Sequence, residues 1–563
     1  MHDWVQQDCP GLHRRVAEIR SSFQAAYLKM YLQILTAIIL FSTWPAFAQS
    51  IYQPTSHEIY PYLKRMESRG LLPEYRDAAK PLSRKVLASH LKNLDSGLDR
   101  MTEVERDEYE FLKEEFSYEL GLLAGDQQPS EIRWHVISET FPGGMINLEP
   151  NLQFSFSKIG DNNARLRAQG AKTYGYVFHD VGYYFNFVDY REVGKAVNFT
   201  KTHTQAPGIV LTKRVEDQIE YNTTEAQLTF DIGPLNVSLE KMQNSWGVSR
   251  YGNIAFSEKA PSYPQVKLRV PVTSWMDFIY LHAELNSGIL DSSRSYHTSS
   301  SSMTDFYRAV DRLKYMAAHM IEVTPVRGVD FSLGESVVYS DRGPLLIYMI
   351  PVMFFKSGEH YNGDKDNVQW FANLDLNLIR NVNVYGSLFI DELNIDDLFD
   401  PEKQRNQLGY TLGFQIYDLP FRNLEILAEY TRLNPWVYTH KQPATTFTSN
   451  GYVLGNWMGQ NADNLYCELT YRPMRSLLLG ATYEIYRKGG EKDIAFQYRL
   501  PSQAFLYGPL HQERSYGAYA RYQFFRDCFV DANIRSRSTS DEAAKLRNDR
   551  KLEYSISVRY GLW

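Results

Sequence analysis

The chain has 563 residues with a formal net charge of −6 and a 14% aromatic content built from 40 Tyr, 30 Phe and 9 Trp. That charge provides no clustered basic field for nucleic acid, and no apolar run after residue 48 approaches the roughly 20 residues a membrane helix needs. A soluble chain of this length would divide into several domains, whereas a large transmembrane β-barrel escapes that limit because lipid covers its wall and water or loops fill its lumen.

Residues 30–48 have an apolar centre from Ile34 to Phe41 and end in Ala46-Phe47-Ala48, the small-x-small pattern of a signal-peptidase site. Cleavage before Gln49 is expected, and 1–48 reads as a signal peptide. The 29 residues ahead of the apolar run are long for such a segment, so the reading includes an over-extended start with initiation at Leu28. Three cysteines occur; Cys9 falls in the removed part, and a disulfide between Cys467 and Cys528 is left open.

A small helical head is expected over 49–125, on the periplasmic side. Between Ser56 and Leu123 the period is helical: Ile59, Leu63 and Met66 share one face, Leu87, Leu91 and Leu94 a second, and Tyr109, Leu112, Phe116 and Leu120 a third. Gly70 and Pro81-Leu82-Ser83 punctuate the first two helices. The string from Glu58 to Leu94 also resembles one S-layer-homology repeat, a family that binds cell-wall polymers, with a structural helical plug as the other reading.

Over 126–563 the expectation is an all-β transmembrane barrel. Trp370, Ala372, Leu374, Leu376 and Leu378 alternate with Gln369, Asn373, Asp375 and Asn377, so one side of the strand suits lipid and the other water. Leu424, Ile426, Ala428 and Tyr430 alternate with Glu425 and Glu429, and Leu477, Leu479, Ala481, Tyr483 and Ile485 with Thr482 and Glu484. Soluble sandwiches alternate too, so connection lengths discriminate. Those near 379–381, 418–423, 473–475 and 526–527 are short, and those near 392–408, 433–463, 488–514 and 537–550 are long. Carried backwards, the alternation predicts short turns near 179–180, 231–233, 272–275 and 324–327, and long segments at 191–220, 243–265, 286–310 and 340–366. The count from about residue 146 is 18 antiparallel strands, with a strand-like stretch at 131–140 outside it. In the last strand Leu552, Tyr554, Ile556, Val558, Tyr560 and Leu562 share a face that excludes Trp563, the aromatic terminal residue usual in barrel-assembly signals; a terminal bulge would reconcile the two.

Residues 244–268, NSWGVSRYGNIAFSEKAPSYPQVKL, join a Trp-Gly turn (Trp246, Gly247) to a Ser-x-x-Ala-Pro stretch (Ser257, Ala260, Pro261) and to Pro264. With SLFIDEL at 387–393 and SNGYVLGNWMGQNADNLY at 449–466, this resembles the capsule assembly Wzi family over nearly all of the mature chain. The resemblance implies an 18-stranded outer-membrane barrel, a periplasmic helical bundle, loops folded over the outer mouth, and lectin-like attachment of capsular or other extracellular polysaccharide without catalysis. The expected partners are that polymer, outer-membrane lipid and the barrel-assembly machinery.

Sugar recognition needs aromatic faces to stack on the ring, with carboxylates and amides to meet hydroxyls. Trp436, Tyr438, His440, Tyr452, Trp457, Gln460, Asn461 and Asp463, in the largest predicted outer loop, are the candidate polysaccharide contacts, with an aromatic girdle at the membrane interface as the alternative. Trp246 and Arg250 read first as shapers of a tight loop. Asp391, Glu392, Asp396, Asp397 and Asp400 form an acidic run that lacks the spacing of a calcium loop and reads as a solvated face. The sequence lacks the His-Glu-x-x-His, Cys-x-x-Cys, Gly-x-Ser-x-Gly and phosphate-loop patterns, so neither an enzyme nor a metal or other cofactor is expected. A diffusion channel and an outer-membrane enzyme acting on lipid or glycan are the rival readings.

Overall fold

The computed structural model describes residues 50–126, 129–177, 181–298, 306–394, 400, 403 and 406–561. The expected signal segment lies outside these residues, as does Trp563, on which the expectation of a terminal bulge falls.

Eighteen antiparallel strands close into a barrel. In chain order the first nine are β1 Gly144–Ile159, β2 Asn162–Val177, β3 Val181–Val193, β4 Gln218–Ile232, β5 Leu235–Met242, β6 Tyr263–Thr273, β7 Met276–Leu290, β8 Asp311–Val326 and β9 Val329–Ser340. The rest are β10 Asn367–Ile379, β11 Val382–Glu392, β12 Gln407–Tyr417, β13 Leu424–Leu433, β14 Ala462–Met474, β15 Leu477–Lys488, β16 His511–Phe525, β17 Cys528–Asp541 and β18 Leu546–Tyr560. Pairing of β18 with β1, from Glu553↔Ile159 to Tyr560↔Leu152, closes the ring and leaves no open edge at the seam. Ile137–Phe141 pairs only with the start of β1 and stays outside the ring, as the sequence predicts for that stretch.

The period of two sorts side chains as lipid and lumen require. On β10, Leu374 and Leu378 are exposed on the outer wall, whereas Gln369, Asn373 and Asp375 are buried inside. On β18, Leu552, Tyr554, Ile556 and Val558 face outward and are exposed. Cys467 and Cys528 are free thiols.

One connection differs from expectation. The long loop predicted over 537–550 is mostly strand, since β17 runs to Asp541 and β18 begins at Leu546. The β1–β2 hairpin is equally tight, with its strands extended to Ile159 and Asn162. Arg537, Ser538 and Thr539, paired with Lys551, Arg550 and Asp549, give the ends of both strands the polar composition of a loop.

The head consists of α1 Ile59–Ser68, α2 Arg84–Asn93, α3 Glu103–Glu115 and α4 Ser117–Leu123. Ile59, Leu63, Met66, Leu87, Leu91, Leu94, Tyr109, Leu112 and Phe116 form its core, along the three stripes legible in the sequence. Thr102 and Glu105 make a reciprocal capping box at the start of α3, and Ser83 accepts the Val86 amide at the start of α2. Arg84 is buried between Glu115 and Glu119, so the Pro81–Arg84 segment is committed to packing.

This head sits at the short-turn end of the barrel. Asn381 N donates to Ser68 O at 2.7 Å, Arg69 meets Asp418 at 3.2 Å, and the Arg475 and Arg526 guanidiniums lie over the Phe111 ring. Deeper in, Lys64 Nζ lies 2.8 Å from both Glu67 and the inward-facing Asp375. Such a buried ammonium is tolerated because several carboxylates face it.

Candidate functional site

At the opposite end the long loops fold into the lumen. Loop 243–262 descends until Ser245–Trp246 pairs with Ala79–Lys80 of the head, and Gly247 N donates to Ala78 O at 2.8 Å. Trp246 is fully buried, edge-on to Phe256 and packed near Phe371 of β10. The inward-facing Phe371 and Phe389 join Ile279, Leu281, Met316 and Met320 in an apolar stretch of the inner wall on which the loops dock.

Loop 434–461 packs on the first loop. Tyr438 Oη donates to Ile254 O at 2.6 Å, Ser257 N donates to Leu454 O at 2.8 Å, and Asn456 Nδ2 donates to Gly252 O at 2.7 Å. Asp391 accepts the Tyr438 amide at 2.6 Å. The three sequence segments that carry the family resemblance therefore meet in one place.

Two lysines fasten the neighbouring loops. Lys259 Nζ donates to the carbonyls of Lys201, Thr204 and Ala206 at 2.5, 2.8 and 2.8 Å. Burial and the nearby Lys201 push that ammonium down to about 8. Lys488 Nζ holds Met458 O at 3.1 Å and Gln460 O at 2.7 Å. His203 Nδ1 lies 3.1 Å from Met458 O, and burial, helped by the Lys488 charge, lowers it to about 4, which keeps the ring neutral at pH 7.

Of the eight residues predicted to contact polymer, all but His440 are buried. Trp436 stacks on Tyr507 with centroids 5.4 Å apart, and its amide donates to Gln460 Oε1 at 2.8 Å. Tyr438 packs against Phe389 and Phe447, Tyr452 Oη donates to Thr200 O at 2.6 Å, and Asn461 joins Gly490 and Leu506. Asp463 is paired with Arg487 and accepts from Tyr430 Oη at 3.0 Å. His440 is half-buried, with Nδ1 2.5 Å from Thr445 Oγ1, and burial lowers it to about 4. Most of these side chains hold the inward fold of the loop, whereas Asp463 stands on β14 in register with Arg432 and Arg487, on the outward side of the strand.

The family-motif residues divide similarly. Ala260 is buried, Pro261 half-buried, and Pro264 exposed at the outer wall. Ser257 Oγ donates to Gly455 O, and Gly247 adopts φ +138°, a conformation that side-chain-bearing residues rarely adopt. Arg250 reaches Gln415, Asp375 and Asn383 at 3.3, 3.4 and 3.4 Å while its backbone amide donates to Glu429 at 2.7 Å. Burial opposes its charge, but Asp77 and Asp375 hold the guanidinium firmly protonated. The acidic run is partly explained as well: Asp391 anchors the Tyr438 turn and Glu392 accepts from Gln407 and Gln497, while Asp396 and Asp397 lie outside the described residues.

What the loops leave open is a groove of about 280 Å³ lined by loop residues, among them Gln205, Ser249, Arg250, Tyr251, Asn253 and Trp457. Tyr251 stacks on Tyr466 with centroids 3.5 Å apart and donates to Glu484 at 2.9 Å. Tyr251 and Gln205 were not legible as candidates, because neither sits in an aromatic-rich run; the Trp-Gly turn nearby hinted at Tyr251, and no sequence signal marked Gln205. A second chamber of about 310 Å³ lies between the head, residues 51–57 and the β2–β4 wall, with Lys172, Tyr174 and Glu225 on its lining. Among the described residues one metal-capable group occurs, Glu359, His360 and Asp364, in which Glu359 is already paired with Lys356 at 2.5 Å. The groove offers amides, hydroxyls, a guanidinium and two aromatic rings, which suits binding of a hydroxyl-rich ligand.

The family model described as capsule assembly protein Wzi matches residues 140–551. Among solved structures, the chain is similar to Wzi of Escherichia coli, described as an outer-membrane protein involved in group 1 capsule assembly and as a carbohydrate-binding β-barrel. That match has 10% identity, covers 92% of this chain and 100% of that one, and has a TM-score of 0.54. It is also similar to OprD of Pseudomonas aeruginosa, at 11% identity over 74% of this chain and 94% of that one, with a TM-score of 0.40. No curated protein sequence matches the chain.

Proposed function

The chain belongs to the capsule assembly protein Wzi family, and from that premise we propose that it binds capsular or extracellular polysaccharide and retains it at the surface of the outer membrane. In this reading the long-loop end faces outward, the helical head closes the periplasmic mouth, and outer-membrane lipid surrounds the wall. The carbohydrate-binding description of the E. coli barrel of like fold supports the same ligand class.

The observation that carries the proposal is the convergence of three loop segments into a rigid floor beneath an open, polar groove. A polymer-retaining protein gains from such a floor because a preorganised site loses little entropy when it orders a flexible chain. Within the groove, Trp457 and Tyr251 offer ring surface, and Gln205, Ser249 and Asn253 offer hydroxyl partners. Most of the residues first picked for contact act by shaping this floor, with Trp457 serving both roles and Asp463 pairing on the outer side of β14.

Cells lacking the protein are expected to shed polymer into the medium, and unchanged retention would refute the role. In the purified barrel, Gln205→Ala with Tyr251→Ala should weaken binding of the cell's own polysaccharide at least tenfold while the heat-modifiable mobility of the folded barrel persists.

A further inference from the structure

The outward face of β7 to β10 breaks the pattern of a lipid-facing wall. Register places Tyr280, His319, Glu335 and Trp370 in one lateral row, on the same side as Leu333. Leu333, two residues below Glu335 and so about 7 Å away, is exposed among other lipid-facing side chains. A carboxylate and an imidazole in that row would each face hydrocarbon at a cost of several kcal/mol if left bare.

They are not bare. Residues 341–366 leave the end of β9, turn outward and lie back down the outer wall, with two short helices, α5 Leu346–Met349 and α6 Phe355–Tyr361. Tyr348 and Phe355, both fully buried, pack on Val337, Tyr339, Ala317 and Tyr280. Phe355 stands 4.5 Å from the His319 ring, and Tyr280 Oη donates to Tyr348 O at 2.8 Å. Glu335 accepts the backbone amides of Phe355 and Lys356 at 2.7 and 2.8 Å and the Trp370 indole at 3.0 Å. The first turn of α6 is thus satisfied by a wall carboxylate, a requirement for backbone placed beside lipid. Glu335 lies five residues inside the end of β9, so the segment descends about 16 Å along the wall.

Over residues 346–354 the other face of this strap is apolar, and the exposed His360, Asp364 and Lys365 lie beyond that stretch. Leu346, Met349, Ile350, Val352 and Phe354 are 46–79% exposed, and Phe354 lies parallel to Trp370 of the wall. In water these five would form an unfavourable patch, whereas they lie on the same outer side as the exposed belt that includes Leu333, Leu374 and Leu388. We propose that residues 341–366 form a lipid-seated strap: one face covers the polar row of the wall, and the other, over residues 346–354, inserts among the acyl chains of the leaflet at the long-loop end.

The test uses the full chain in vesicles of phosphatidylcholine. Val352→Cys, in a Cys9→Ser, Cys467→Ser, Cys528→Ser background, is labelled with an environment-sensitive fluorophore, and Glu542→Cys in the exposed β17–β18 turn, made in the same background, serves as the aqueous control. At residue 352 blue-shifted emission and at least twofold stronger quenching by doxyl-labelled lipid than at 542 are expected. Emission at 352 matching that at 542 would overturn the strap. So would an unquenched label together with cross-linking of one copy to another through residue 352, which would make the patch a protein interface.

Discussion

Ala79 of the head and Trp246 of an outer loop stand in antiparallel register inside the barrel, so segments entering from opposite ends of the lumen share a two-stranded ladder. Trp246 is fully buried in the main lumenal core. Replacing it with Ala would remove the ring and leave a cavity worth about 3–5 kcal/mol. The β-barrel hydrogen bonds do not depend on it. Trp246→Ala is therefore expected to keep heat-modifiable mobility while opening residues 243–262 to limited proteolysis; a loop as resistant as the parent's would count against this packing account.

The same junction predicts electrical behaviour. Lys64 meets Glu67, Asp77 and Asp375, and Arg69 meets Glu105 and Asp418, all with side chains less than a tenth exposed. Removing one partner from a buried ion pair typically costs about 3–5 kcal/mol because a charge is stranded. The parent is expected to be nearly silent in planar bilayers, and Lys64→Met with Arg69→Met should loosen the head from the wall and give steady conductance. Silence in the double variant would mean that the inward loops alone seal the lumen.

The barrel was legible because lipid enforces strict alternation, as in Asn373-Leu374-Asp375-Leu376, and the head because Leu87, Leu91 and Leu94 recur at helical spacing. The site was less legible. Trp436 and Tyr438 have the composition of sugar-binding residues, yet burial depends on the direction in which the loop folds, which residue type does not encode. One signal did exist: Phe371 lies between Trp370 and Ala372, and Phe389 between Leu388 and Ile390, so both strand faces are apolar there. Two apolar faces mean cover on both sides, and inside a barrel that cover must be an inserted loop. The strap had a similar mark in Glu335, a carboxylate on the same strand face as Leu333 and Phe331.

Gly247 provides a sharp local test. Its φ is +138°, and a Cβ there would fall 2.4 Å from Asn253 Oδ1. That oxygen accepts the Ser249 amide at 3.0 Å, while Nδ2 of the same side chain donates to Ser245 Oγ at 2.9 Å, so it cannot simply swing away. Gly247→Ala is expected to cost about 1–3 kcal/mol in strain and lost contacts. Polymer binding should fall with the groove's order, whereas Gly343→Ala, which meets no atom within 4 Å, should bind like the parent. Equal binding by both variants would separate the Trp-Gly turn from the groove.

The head should loosen in acid. Burial lowers His57 to about 3 and His90 to about 4, against an unfolded value near 6.5. For groups lowered on folding, the neutral folded ring is fully tolerated above the unfolded value, and the associated stability is lost as pH falls from about 6.5 toward 3–4. Glu58 acts in the opposite sense: burial raises it to about 7, so its contribution is complete below about 4.5 and disappears as pH rises through 7. Two histidines with comparable or larger displacements outweigh one glutamate, leaving a net loss on the order of a few kcal/mol by pH 4. His57 also receives the Ile59 amide on Nδ1 at 3.2 Å, so protonation there breaks a bond at the entry to α1 as well as charging a buried ring. Protease resistance of residues 59–123 in detergent should therefore decline between pH 6.5 and 4, and His57→Leu with His90→Leu should flatten that decline. A profile of the same steepness in the double variant would place the acid sensitivity elsewhere, in the carboxylates that bind Lys64, Arg69 and Arg84.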